Sequence, residues 1–200
     1  MFAIDAKSGE QCAAFGDGGV VALPPSKAEL YRGEVQHTSP PAIISDIVVL
    51  GSTIGDNHRT DTPSGKVQAF SARDGKRLWE FDPIPNSPDD PAFATWGKDG
   101  PVAIGSANVW SHMAVDEDRD IIFLPVSTPA PDNYGGTRPG NNEYANSLVA
   151  LRGSTGELIW HFQILHHGIW DYDLAPQPLL VDLPRDGALV PVVVQNTKQG

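Results

Sequence analysis

The stretch QAFSARDGKRLWEF, residues 68–81, is echoed by VALRGSTGELIWHF at residues 149–162, and its first half by FAIDAKSG at residues 2–9. The three align without gaps. Each opens with alternating apolar residues around a small Ala, the period of a half-buried strand. Each then reaches a glycine, Gly9, Gly75 or Gly156, through Lys-Ser-Gly, Arg-Asp-Gly or Ser-Thr-Gly. Such turns use a glycine at positive φ. Two of them return through Leu78-Trp79-Glu80-Phe81 and Ile159-Trp160-His161-Phe162; the first returns through Ala13-Ala14-Phe15 and lacks the Trp. A Trp on a returning strand offers a large apolar face to a neighbouring sheet, so Trp79 and Trp160 are expected in the core. Hairpins repeated in this way mean repeated small sheets. The expected fold class is all-β, a partial β-propeller with long loops between strands, with a two-sheet sandwich as the alternative.

Working outward, residues 42–51 read as a hairpin turning at Ser45-Asp46. Residues 113–126 read as a strand, an acidic turn over 116–120 and a second strand, and residues 190–194 as one more. The Pro-rich segments 83–91, 125–139 and 183–191 read as loops, and no helix is expected. Loops this long in a compact domain usually serve function. Gly 20 and Pro 18, with only 20% charged residues, suit a turn-rich β protein. A net charge of −11 with no basic stripe argues against nucleic acid as a partner. Cys12 is single, so no internal disulfide forms. No apolar run approaches the ~18 residues of a membrane-spanning helix. Both ends break off beside strand-like segments, and the expectation is one truncated domain over residues 1–200, a fragment of a longer protein.

The densest polar cluster is His166-His167-Gly168-Ile169-Trp170-Asp171-Tyr172-Asp173, and an isolated Lys198 follows the apolar 190–194 segment. By composition alone this is either a polar loop or a place that holds a metal, a proton or an anionic cofactor. Other polar residues also flank strands: Thr38 before one, Asp56 and Asn57 after it, Trp110 before the next, Thr128 after that. In a propeller, loops on one face converge although they are far apart in sequence. Oxygen ligands from Asp56, Asn57, Thr128 and Asp171 would suit a hard cation such as Ca²⁺ or Mg²⁺.

Taken in order, TSPP (38–41), DN (56–57), SGKVQAFSARDGKRLWEFDP (64–83), NVW (108–110), STPAPDNYGGTRP (127–139), YANSLVAL (144–151), HHGIWDYDLAPQP (166–178) and TKQG (197–200) resemble the pyrroloquinoline quinone (PQQ) dehydrogenases. The likeness covers nearly the whole chain. It is strongest to the membrane-bound quinoprotein glucose dehydrogenase branch and its quinate and polyol relatives. It implies that the chain supplies roughly three to four blades of a larger quinoprotein propeller. It also implies oxidation of a sugar, polyol or related alcohol by hydride transfer to PQQ, with electrons passed to a quinone such as ubiquinone. The implied location is the periplasmic side of the bacterial inner membrane, with any membrane association through segments outside this chain. Position by position, the resemblance makes Trp110 the floor under the PQQ ring, with Thr38, Thr128 and Lys198 beside the cofactor. It sets Asp56, Asn57, Thr128 and Asp171 around Ca²⁺ or Mg²⁺. It makes Asp171 the base that takes the alcohol proton and Lys198 the cation facing the quinone oxygens.

The sequence departs from that pattern at Gly168, where relatives usually carry Asp, and at TKQG, where AKTG is more usual. No Cys-x-x-Cys-His occurs, so nothing indicates haem c. Blades outside the chain would supply further cofactor contacts, so the isolated chain is expected to be inactive. The other function class is a non-enzymatic propeller scaffold, which would use the same hairpins but has no need of the loop residues. His37 and His112 read as structural, His166 and His167 as flanks of the active loop, Asp89-Asp90 and 116–120 as solvated turns, and Asp173 as second to Asp171 for the base.

Overall fold

A computed structural model describes residues 1–23, 29–55 and 57–200. Its strands are, in chain order, β1 (Val35–Gln36), β2 (Ala42–Ile44), β3 (Ile47–Leu50), β4 (Thr53–Ile54), β5 (Val67–Ser71), β6 (Arg77–Phe81), β7 (Ala114–Asp116), β8 (Ile121–Pro125), β9 (Ser147–Arg152), β10 (Leu158–Gln163), β11 (Leu179–Arg185) and β12 (Ala188–Val194). One antiparallel sheet has the order β2-β3-β5-β6 and a second the order β7-β8-β9-β10, while β11 and β12 pair as a hairpin. A looser turn structure, bridged at Phe2–Val20 and Ile4–Gln11, precedes them. The helical content of the described residues is a single 3₁₀ turn at Phe93–Trp96.

Each four-stranded sheet is a meander, and the second is buried on both faces. Ile122, Leu124, Val149 and Leu151 turn one way, into a core shared with Ile44, Val49 and Trp79 of the first sheet. Phe123, Leu148 and Ala150 turn the other way, toward Leu180 and Val193 of the β11–β12 hairpin. A sandwich sheet buries one face, whereas a propeller blade lies between two neighbours. This is a partial β-propeller: two complete blades, the opening hairpin of a third, and part of one before.

The three echoed segments form the same turn. Gly9 N–H donates to Asp5 O, Gly75 N–H to Ser71 O and Gly156 N–H to Arg152 O, at 2.9, 2.8 and 2.7 Å. Their φ values are 73°, 72° and 76°, which glycine adopts without a Cβ clash. The turn is also where blades dock. The Trp79 indole N–H donates to Gly153 O at 2.9 Å, and a Cβ added to Gly156 would stand 2.6 Å from Trp79 Cδ2. Phe15 takes the same place before the first complete blade, 3.2 Å from where a Gly75 Cβ would be. An aromatic side chain therefore caps the next blade's turn in both cases, with Phe replacing the missing Trp.

Two expectations need correction. Trp160 is not in the core: it is 37% exposed, tilted against Phe123 in a groove beside Leu180 and Val193. No described Gly turn caps it as Gly156 caps Trp79. Residues 183–191 are not a loop: Asp182 pairs with Pro191 and Pro184 with Leu189, so the hairpin turns only at Asp186-Gly187.

Gly156→Ala is expected to destabilise the protein by about 2–4 kcal/mol, from positive-φ strain plus crowding of Trp79. Gly9 has the same φ and nothing within 4 Å of an added Cβ, so Gly9→Ala should cost only ~1–2 kcal/mol. Denaturant unfolding measures both, and equal costs would refute the docking role of the Trp79 contact.

Candidate functional site

In an antiparallel meander, successive connections alternate between the two ends of the sheet. The Gly turns, Ser45-Asp46, residues 117–120 and Asp186-Gly187 fall at one end; the connections after β3, β6, β8, β10 and β12 fall at the other. Every described residue singled out for the site lies in the second set, or, for Thr38, just before β2 at the same end. That parity brings distant loops to one cleft of about 250 Å³. Its lining includes Thr53, Trp110, Thr128, Asp132, Asp171, Asp173 and Lys198.

Trp110 is held at both ends. Ser39 Oγ donates to its main-chain carbonyl, and its indole N–H donates to Asp173 Oδ2 at 2.8 Å. Asp173 Oδ1 accepts from the Thr128 backbone N–H, also at 2.8 Å. The buried Thr128 hydroxyl accepts from Asn146 Nδ2 at 2.8 Å. Asp171 sits at φ 52°, a left-handed conformation that Asp tolerates better than most residues. Its side chain is half-exposed, with Lys198 Nζ 3.5 Å from Oδ2. Lys198 also donates to the Asp171 main-chain carbonyl.

Buried polar bonds hold these loops from behind. Arg138 is wholly buried and donates to Asn142 Oδ1 at 2.9 Å, Gly168 O at 2.5 Å and Pro131 O at 3.3 Å. Burial pushes its guanidinium pKa down to about 10. Arg138 thus ties the loop after β8 to the loop after β10. His167 adds a second tie, Nδ1 to Gly140 O at 2.7 Å. Gly168 is a close approach: a Cβ there would lie 2.7 Å from Asn146 Oδ1, which gives the departure from Asp a local steric reason. On the first blade's side, the buried Glu34 pairs with Arg59 at 2.9 Å, and Gly55 N–H donates to Glu34 O at 2.8 Å. His37 Nδ1 bonds Gly51 O at 2.6 Å, a structural role.

Of the residues singled out, Trp110, Thr128, Asp171 and Lys198 line the one cleft. Thr38 does not reach it. Its hydroxyl is 2.5 Å from that of Thr53, and Thr53 takes the place on the wall. Asn57 also stands back, its amide donating to Asp132 Oδ2 at 2.7 Å while Asp132 N–H donates to Asn57 Oδ1 at 3.1 Å. Asp56 lies outside the described residues. Among the described residues no three His, Cys, Asp or Glu side chains gather as a metal centre. Of the expected metal residues Asn57, Thr128 and Asp171, the last two line the cleft, and Asn57 faces the lining residue Asp132. Asp132 and Asn146 were missed, although both lie inside the quoted loop motifs.

The sequence matches, over residues 1–200, the family described as PQQ: Glucose/ethanol/alcohol dehydrogenase, beta-propeller domain. It is 35% identical to the quinoprotein glucose dehydrogenase of Escherichia coli (strain K12), over 100% of this chain and 25% of that protein. The chain belongs to the PQQ-dependent dehydrogenase β-propeller family. The quinate/shikimate dehydrogenase (quinone) of Acinetobacter baylyi is 36% identical over the same shares. A quinohemoprotein alcohol dehydrogenase of Pseudomonas putida HK5 superposes with a TM-score of 0.79 at 26% identity, over 98% of this chain and 28% of that one. The chain thus spans about a quarter of the length of these quinoprotein oxidoreductases. No helix among its described residues is long and apolar enough to cross a membrane.

The residues present fit PQQ, a flat anionic quinone. Trp110 offers an aromatic surface and Lys198 a cation across the same cleft.

Two outcomes test how the loops are held. Arg138→Met keeps the apolar stem and removes the donors to Gly168, Pro131 and Asn142. It should cost about 2–4 kcal/mol and speed amide exchange over residues 166–173, with unchanged exchange there counting against the tie. The Arg59 hydrogen bond holds the Glu34 carboxyl below its ordinary value of 4.5. A depressed carboxyl pKa stabilises the fold above 4.5, and that stability is lost as pH falls through the folded value. Glu34→Gln should therefore be less stable near neutrality and show a flatter stability profile below pH 4.5.

Proposed function

We propose that the full-length protein oxidises a sugar, polyol or related alcohol to the carbonyl compound, using PQQ in the cleft above Trp110. The observation that carries this is the meeting, in one cleft, of an oriented Trp, a half-exposed carboxylate and a cation drawn from different blades. PQQ, when bound, accepts the hydride equivalent from the alcohol carbon. The chain's own residues bind, orient and move the proton. Trp110 supports one face of the ring. Lys198 supplies positive charge where negative charge grows. Asp171, open to the cleft, takes the hydroxyl proton on a carboxylate oxygen. Asp173 is less suited to that task, because both of its oxygens already accept N–H bonds.

Oxygen donors at Thr128, Asp132 and Asp171 suit a hard cation such as Ca²⁺ or Mg²⁺ on this wall, with Asp56 and Asn57 the remaining candidates. We further infer a quinone, such as ubiquinone, as the electron acceptor, and a site on the periplasmic side of a bacterial inner membrane. The A. baylyi relative's name, which includes quinone, supports the acceptor.

In the full-length protein Asp171→Asn is expected to retain PQQ and lose about 10²–10⁴-fold in turnover. Lys198→Ala should weaken both PQQ binding and turnover. The assay is PQQ-dependent reduction of an artificial acceptor, with Ca²⁺ or Mg²⁺ and a panel of aldoses, polyols and quinate. Near wild-type turnover in Asp171→Asn would remove it as the base. No PQQ binding and no alcohol oxidation by the complete protein would favour a scaffold propeller.

A further inference from the structure

We propose that Asp173 is a positioning residue that orients the cofactor through its floor, by locking the Trp110 indole and the Thr128 backbone to one carboxylate. The inference rests on the PQQ reading above. Three connections meet at Asp173: its own after β10, that of Trp110 before β7 and that of Thr128 after β8. Its Oδ2 accepts the Trp110 indole N–H and its Oδ1 the Thr128 N–H, both at 2.8 Å. The indole N–H is that side chain's sole donor and lies in the ring plane, so a bond there sets the plane of the ring. Ser39 already holds the Trp110 carbonyl, so backbone and ring are both fixed. The Thr128 bond then joins this floor to the wall carrying Thr128 and Asn146. Carboxylate acceptors make the stronger class of N–H bond. A proton taken by either oxygen would weaken the bond that oxygen accepts, which separates Asp173 from the half-exposed Asp171 two residues earlier. One acidic side chain moves the proton, and the other keeps the floor level.

The test uses the full-length protein with Asp173→Asn, whose amide can accept from one of the two N–H groups and must face the other with its own N–H. Asp173→Glu keeps the charge and displaces it. Thermal unfolding checks that each variant folds; where Asp173→Asn does not, Asp173→Glu is read in its place. PQQ affinity is measured on apoprotein by quenching of tryptophan fluorescence, and the Thr128 amide is followed by deuterium uptake. Expected are a roughly tenfold weaker PQQ affinity and faster uptake at Thr128, the size of one lost charge-assisted bond. The KM for the alcohol should barely change. The acid-side inflection of kcat against pH should stay in place, because Asp171 is intact. Unchanged PQQ affinity in a folded variant, with wild type binding normally, overturns this inference alone. Loss of the acid-side inflection with PQQ affinity intact also overturns it, by making Asp173 the base. Failure of the wild type itself to bind PQQ overturns the proposed function, and this inference with it.

Discussion

The contact on which the rest depends is the Trp79 indole on the Gly153–Gly156 turn of the next blade. Burying a side chain of this size is worth at most about 5 kcal/mol. The N–H bond to the Gly153 carbonyl gives that burial a direction. It fixes the rotation of one blade against the next at the turn end of the sheets. Because the strands are short and stiff, fixing the turn end also fixes the loop end, where the cleft lies. Phe15 against Gly75 repeats the arrangement one blade earlier with a different aromatic residue. The docking device therefore needs a flat apolar face and a turn without a side chain, and does not require Trp.

At the other end, long loops are held by buried polar bonds where apolar packing is scarce. Arg138, Asn142 and Asn146 are all buried; Arg138 and Asn146 bond across to the loop after β10, and Asn142 holds Arg138 within its own loop. A buried guanidinium is costly unless its donors are used, and the lowered pKa of Arg138 reflects that cost. The return is a pre-organised mount. Asp171, Asn146 and His167 all sit at positive φ in or beside the cleft, conformations that persist only where the surroundings over-determine them.

The cleft also carries more negative than positive charge, and each carboxylate is assigned a neighbour. Asp132 faces Asn57, Asp173 faces Trp110 and Thr128, and Asp171 faces Lys198. Fixed N–H donors neutralise without adding charge, so an anionic ligand meets Lys198 as the cation of the lining. Asp171 and Lys198 are the pair left half-exposed, in the position where reacting groups need to be reached.

Much of the fold was legible because its signals are local. Period-two alternation and the Lys-Ser-Gly, Arg-Asp-Gly and Ser-Thr-Gly turns depend only on near neighbours, and all three turns close with the same hydrogen bond. The order of loop motifs marked Trp110, Thr128, Asp171 and Lys198, and meander parity carried them to one face. What required the tertiary structure was every property set by a distant partner. Trp160 looked identical to Trp79, yet burial depends on what stands opposite. Pro184 and Pro191 looked like loop residues, yet each stands in the β11–β12 ladder, opposite Leu189 and Asp182. Thr38 and Asn57 were expected beside the cofactor and the metal, and their partners Thr53 and Asp132 lie 15 and 75 residues away in the chain. Trp110 and Asp173 are separated by 63 residues, and a hydrogen bond across that span leaves no mark in the chain. Local patterns settle which residues form strands and turns; which carboxylate stays open to the cleft and which is consumed in holding it depends on distances that only the packed blades define.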